Sequence, residues 1–221
     1  MSPTKYKLLI FDWDGTLVDS IERITTSLQA ASYKTCQIKV DHSDARSVIG
    51  LGLHEAVKKL HPQLPAEDIL RISDAYKQHY INENTVKEDP FEGVDSLLAQ
   101  LRDSGFLLAI ATGKGRPGFE RSAKMFDLDK CFHTTQCASE NRSKPHPEMV
   151  FKILEELNIK AENALMIGDS KHDLEMAKNA RVDAIAVTHG VSTAKELSSF
   201  NPLTCLDRVT DLHSFLTHNN I

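Results

Sequence analysis

The chain has 221 residues, 41% of them apolar and 26% charged, which is the balance of an ordinary folded protein with room for a sizeable core. A formal net charge of −5 with scattered basic residues argues against a nucleic-acid or anionic-membrane surface, and no apolar run approaches the length that crosses a bilayer. The apolar part of "MSPTKYKLLIF" is too short for a signal peptide, and Cys36, Cys131, Cys137 and Cys205 show no C-x-x-C spacing, so a cytoplasmic protein with reduced thiols is expected and a zinc site is not.

Residues 6–11, "YKLLIF", form a short apolar run that reads as a buried strand. Leu17, Ile21, Ile24, Leu28 and Ala31 then repeat at helical spacing. No strand is expected between about residues 35 and 85: "ARSVIGLGLHEAVKKL" reads as helix, glycine break and helix, and Ile69, Ile72, Tyr76 and Tyr80 repeat with a helix period. After "EDPFEG" the rhythm changes. Helix 94–101, strand "FLLAIAT", helix 116–126, a short strand near Cys131–Thr135, a helix carrying Val150, Ile153, Leu154 and Leu157, strand "ALMIGDS", helix "DLEMAKNA" and strand "VDAIAV" alternate, and the C-terminal stretch fits a last short strand and helix. Such alternation implies right-handed crossovers and a parallel sheet covered on both faces. The expected fold is therefore α/β: a doubly wound, Rossmann-like core over 1–16 and 88–221, with an all-helical cap domain inserted over 17–87.

In an open parallel sheet, ligands bind at the carboxyl ends of the strands, which brings Asp12–Asp14, Thr112–Lys114 and Gly168–Asp173 to one edge. In "FDWDGTLVDS", Asp12 and Asp14 are two residues apart in an extended segment and point to one side, while Trp13 packs elsewhere. Two carboxylates ~4 Å apart repel by about 4 kcal/mol at an effective dielectric near 20, which calls for a cation or a shared proton. Seen alone, a D-x-D at a strand end is more often a solvated turn. "MIGDSKHD" adds Asp169 and Asp173 at a second strand end, where acids also suit the start of a helix. Three or four carboxylates in one region suit Mg²⁺, which takes carboxylates, keeps waters and pairs with phosphate. Thr112 and the open N–H of Gly113 in "AIATGKG" suit an anion, and Lys144 in "RSKPHPEM" precedes prolines that restrict its backbone.

In this order, "FDWDGTLVDS", "ATGK", "SKPHPE" and "GDSKHD" resemble the four motifs of the haloacid dehalogenase superfamily over residues 6–190, and the inserted helices resemble the cap of its phosphoglycolate phosphatase-like branch. The resemblance implies a Mg²⁺-dependent phosphatase that hydrolyses a small phosphomonoester metabolite, phosphoglycolate-like, through an aspartyl-phosphate. It makes Asp12 the nucleophile and Asp14 the acid/base. It gives Mg²⁺ to Asp12, the main-chain carbonyl of Asp14, and Asp169, with Asp173 acting directly or through a water. It places Thr112, Gly113 and Lys144 on the phosphoryl group. Arg46 and Gly50 fall where relatives meet the remote end of the substrate, although an arginine there is equally an ordinary surface residue. Lys114, Arg116 and His172 line the motif loops, where solvation is as reasonable as a substrate contact, and Asp19 suits a helix cap or hinge. A phosphomutase of the same superfamily is the alternative, weakened because Ile24 stands where that branch usually carries a histidine. A receiver-like phosphoaspartate signalling module is a further one, weakened by the helical insert. No nucleic-acid or membrane partner is expected, and the sequence does not set the oligomeric state.

Overall fold

The computed structural model describes residues 5–218, so the outer ends of the expected core, 1 and 221, lie outside the described residues. Strand β1 (Leu8–Phe11) ends at Asp12, and β2 (Val18–Asp19) leads into α1 (Ile21–Cys36), α2 (His42–Ser47), α3 (Leu53–Leu60) and α4 (Ala66–Gln78). A wider π-helical turn, His79–Glu83, prolongs α4. The chain returns through β3 (Asp89–Pro90) and then alternates through α5 (Val94–Asp103), β4 (Leu107–Thr112), α6 (Arg116–Met125), β5 (Thr134–Cys137), α7 (Glu148–Glu156) and β6 (Ala164–Gly168). It finishes with α8 (Lys171–Ala180), β7 (Asp183–Val187), α9 (Ala194–Ser198), β8 (Cys205–Leu206) and α10 (Leu212–His218).

Six strands form one parallel sheet in the order β5-β4-β1-β6-β7-β8. Strand β1 shows how the sequence builds it. Leu9 and Phe11 pack with α5, α6 and α10 residues such as Leu98, Phe119 and Leu212, whereas Leu8 and Ile10 pack on the other face with Val150 and Ile153 of α7 and Ala177 of α8. Alternate side chains of a strand leave on opposite sides, so a strand sandwiched between helices is apolar throughout. Each fully buried side chain of this size contributes about 1.5–3 kcal/mol. From β1 the chain moves to β4 on one side, and from β6 to β7 on the other. The switch point therefore lies between β1 and β6, whose ends deliver Asp12 and Asp169.

Helices α1 to α4 share a separate apolar cluster that includes Ile21, Leu28, Val57 and Ile72. Leu17, expected on the first helix face, instead packs with Val18 in the core cluster, and the helix begins only at Ile21. The reason is local: the Trp13 carbonyl accepts the N–H groups of Thr16, Leu17 and Val18, which holds this stretch in a tight turn. The two chain crossings between helices and core pair with each other as a small antiparallel ribbon, Val18 opposite Pro90 and Asp19 opposite Asp89. The sequence pattern does not show this ribbon. Among the described residues, no helix is long and apolar enough to cross a membrane.

Candidate active site

Asp12, Asp169 and Asp173 stand together, fully or almost fully buried, each offering one carboxylate oxygen within 4.8 Å of the others. Lys144, 2% exposed, reaches into the trio: its Nζ lies 2.7 Å from Asp12 Oδ1 and donates to Asp173 Oδ1 at 2.6 Å. Asp169 accepts from the Thr16 hydroxyl at 2.7 Å and the Val191 N–H at 2.7 Å. Asp173 also closes a capping box on α8, accepting from the Ser170 N–H and hydroxyl. Its helix-start reading and its place among the acids are thus both true of one side chain. Glycines leave room for Asp169: a Cβ on Gly15 would lie 2.4 Å from Asp169 Oδ2, and one on Gly190 only 2.1 Å. Gly15 also has a φ of +85°, which the turn after Asp14 requires and other residues rarely adopt.

Burial pushes the Asp12 carboxyl well above the carboxylate range, with the Asp173 charge adding to it and Lys144 opposing it. Asp169 is pushed up to about 7 by burial and then by Asp173. Burial works against the Lys144 charge, but Asp12 and Asp173 outweigh it and hold its pKa above the ordinary lysine value. When all three acids are ionised, they outnumber the one ammonium by two charges. Asp12 Oδ2, although buried, makes no hydrogen bond. An all-oxygen donor set with an orphaned carboxylate oxygen and a deficit of two positive charges fits a hard divalent cation such as Mg²⁺.

The Asp14 carboxylate, 7% exposed, stands apart from the trio and accepts from the Ser20 hydroxyl at 2.7 Å and from Lys114 Nζ at 2.6 Å. Lys114 Nζ also lies 3.3 Å from the Tyr80 hydroxyl, which donates to Glu88. A polar chain therefore runs from Asp14 through the π-helical end of α4 to the linker ahead of β3. Burial, then the Asp14 and Glu88 charges, keep the Tyr80 hydroxyl protonated. Ser20 lies within the first motif, but its hydroxyl reaches Asp14 only through the turn over Trp13–Val18, and Tyr80 and Glu88 meet Lys114 and each other through folding that no local motif announces.

The remaining expected residues take varied places. Thr112 is fully buried at the end of β4, its hydroxyl accepting the Lys114 N–H at 3.0 Å. Gly113 meets helical-segment backbone: a Cβ there would lie 2.5 Å from the Leu51 carbonyl and 2.6 Å from that of Gly50. Arg46 is not brought to the cavity described below; its guanidinium donates to the Gly190 and Val191 carbonyls, on the loop that also supports Asp169. Arg116 pairs with Glu140 at 2.7 Å, and Asp19 lies in the β2–β3 ribbon while Ser20 precedes the helix. His172 is 4% exposed, and burial followed by the Lys59 charge lowers it to about 4. Trp13 faces away as expected, donating to Ser122 Oγ at 3.1 Å and meeting Phe119 edge-on.

Above Asp12 and Asp14 lies a cavity of about 560 Å³, walled by α1, the α2–α3 loop and α4 on one side and by Gly113–Gly118 on the other. Two acids, Asp12 and Asp14, thus stand at the floor of a space large enough for an organic molecule, and the buried Lys144 lies behind Asp12.

The sequence model of the haloacid dehalogenase-like hydrolase family matches residues 9–187. The chain is 29% identical over 219 residues to pyrophosphatase PpaX of Bacillus mycoides (strain KBAB4), spanning 98% of this chain and 99% of that protein. It is 30% identical over 205 residues to pyrophosphatase PpaX of Halalkalibacterium halodurans, spanning 92% and 94%. Among solved structures, a predicted phosphatase from Clostridium acetobutylicum superposes with a TM-score of 0.86 at 27% identity, covering 96% of this chain and 99% of that one. A hydrolase from Pseudomonas syringae superposes at 0.88 with 22% identity over 98% and 99%, a likeness of fold. With the family pattern spanning both strand ends that carry the acids, the chain belongs to the haloacid dehalogenase-like hydrolases.

Proposed function

We propose that the protein is a Mg²⁺-dependent phosphatase acting on a phosphomonoester metabolite through a phosphorylated Asp12. The observation that carries this reading is the buried Asp12 carboxylate, with one oxygen free of hydrogen bonds, beside Lys144 and at the floor of the cavity. Asp12, Asp169 and Asp173 would hold the metal, with the Asp14 main-chain carbonyl as a further oxygen donor. When bound, the cation offsets the charge of the acids and of the incoming phosphoryl group.

The Asp12 carboxylate forms a bond to phosphorus as the bond from phosphorus to the ester oxygen breaks, and Asp14 gives that oxygen its proton. Asp14 then takes a proton from water as the water oxygen attacks phosphorus, releasing phosphate and restoring Asp12. Ser20 and Lys114 orient the Asp14 carboxylate for both transfers. Lys144 balances charge on Asp12 as it accepts the phosphoryl group. Thr112 and the Gly113 N–H are assigned to the phosphoryl oxygens. Four free thiols support a cytoplasmic setting.

The names of the curated relatives bring inorganic pyrophosphate forward as a competing substrate. A phosphomutase is less favoured because Ile24, which lines the cavity, carries no group to transfer a proton. The helical insert and family membership set a receiver module aside. Turnover of p-nitrophenyl phosphate tests the reading. Activity is expected with Mg²⁺ and is expected to vanish with EDTA or in Asp12→Asn, whereas equal rates in all three would remove Asp12 and the metal from the mechanism.

A further inference from the structure

We propose that the substrate's organic part is apolar, an alkyl- or aryl-bearing phosphomonoester rather than a second phosphate or a short polar acid; this rests on the phosphatase reading above. The apolar side chains lining the cavity over Asp12 and Asp14 include Ile24, Leu28, Ile49, Leu53, Leu70 and Ile81. At about 560 Å³ it falls within the roughly 300–1,000 Å³ of small-molecule sites. A phosphoryl group seated at Asp12 leaves most of that space to whatever the phosphate is attached to. Leu70 and Ile81 are 56% and 51% exposed at the mouth, so the apolar lining continues from the floor to the opening.

The charges on the wall point the same way. The lysines and arginines lining the cavity are Lys77, Lys114 and Arg121, and each faces an acid: Asp74 at 2.8 Å, Asp14 at 2.6 Å and Glu88 at 3.5 Å. Acids also line it, namely Asp12, Asp14, Glu55 and Asp74. A second phosphate or a carboxylate there would meet acids, and Lys77 and Lys114 already hydrogen-bonded to acids, and would leave the aliphatic wall in water. Arg121 alone among the three keeps buried guanidinium nitrogens, Nε and Nη2, without a hydrogen bond. It is the group through which a second anion would have to be held if the roof were a diphosphate site.

The test is kcat/KM with Mg²⁺ for ethyl, butyl and hexyl phosphate, whose leaving groups have similar basicity, beside phosphoglycolate and pyrophosphate. Burial of each added methylene predicts a rise of up to about fourfold, the equivalent of about 0.8 kcal/mol, and hexyl phosphate is expected to exceed both anions. Hexylphosphonate is expected to inhibit at lower concentration than methylphosphonate. Ile24→Asn and, at the exposed mouth where folding is not at stake, Leu70→Asp should each lower the hexyl-to-ethyl ratio. A flat series with clear turnover of ethyl phosphate overturns this inference and leaves the phosphatase reading standing. Pyrophosphate turnover above that of hexyl phosphate, falling in Arg121→Met, overturns it in favour of a second phosphate. No turnover of any ester, p-nitrophenyl phosphate included, removes the phosphatase reading beneath it.

Discussion

The floor and the roof of the cavity are built on opposite principles. The floor is Asp12 and Asp14, and behind Asp12 the side chains of Asp169, Asp173 and Lys144 gather in a volume almost closed to solvent. The roof is mainly aliphatic and aromatic, assembled from α1, α4 and the α2–α3 loop, with Lys77 paired to Asp74. Several buried acids in one place call for a proton or a cation to offset their charge, so the floor is where chemistry is placed. An apolar wall has no such deficit and, under the proposed function, would select by size and by burial. The difference teaches that reactivity here is concentrated in a few side chains, whereas selectivity is spread over many.

Substitutions in the floor should therefore act on kcat by orders of magnitude, and those above it more gently. Asp14→Asn is expected to lower kcat for an alkyl phosphate by about 10²–10⁴-fold, the usual contribution of a positioned acid/base, measured at saturating substrate. Lys144→Met strips the cation paired with the buried acids and should destabilise the metal-free protein by about 3–5 kcal/mol in chemical denaturation, with added Mg²⁺ restoring part of the loss. An unchanged denaturation midpoint would show that the ammonium does not hold the trio together. At the seam between floor and roof, Gly113→Ala places a Cβ against the Gly50 and Leu51 carbonyls and forces them away. A loss of about tenfold to a hundredfold in kcat/KM is expected, with faster proteolysis of the α2–α3 loop. The smallest effect belongs to the helical region alone. Burial lowers the His61 pKa, and its Nε2 lies 2.9 Å from the Ser32 hydroxyl. A histidine whose folded pKa is below its unfolded value near 6.5 binds its proton more readily when unfolded, so stability is complete above that value and declines as pH falls through it. His61→Gln should flatten that decline in thermal melts between pH 7 and pH 5.

The floor was legible in the sequence because each of its members sits beside a short local signature. Asp12 and Asp14 follow an apolar run and precede a glycine, Asp169 and Asp173 repeat the arrangement, and Lys144 adjoins prolines. The alternation of strands and helices was legible for a similar reason, since period and burial coincide along each segment. What escaped depended on contacts between distant segments. The β2–β3 ribbon is only two residues long on each side and pairs positions 18–19 with 89–90. Gly113 reads as an anion-binding turn, yet its missing side chain also admits the Gly50 and Leu51 carbonyls, which no local pattern announces. Arg46 carries the charge a substrate carboxylate would need, but its Nε and Nη2 donate to carbonyls of the 190–191 loop. The apolar character of the roof was equally hidden, because Ile24 and Leu28 read as ordinary helix-core residues until the cavity beside them is seen.

The account turns on Asp12 receiving the phosphoryl group and Asp14 being needed to release it. Stopped-flow mixing of Mg²⁺-loaded Asp14→Asn with p-nitrophenyl phosphate tests this most directly, because nitrophenolate leaves without a proton while hydrolysis of the phosphorylated Asp12 still needs the base. One equivalent of nitrophenolate per enzyme, followed by slow turnover, is the predicted result, with no burst in Asp12→Asn. Absence of a burst in Asp14→Asn alongside undiminished turnover in Asp12→Asn would contradict it.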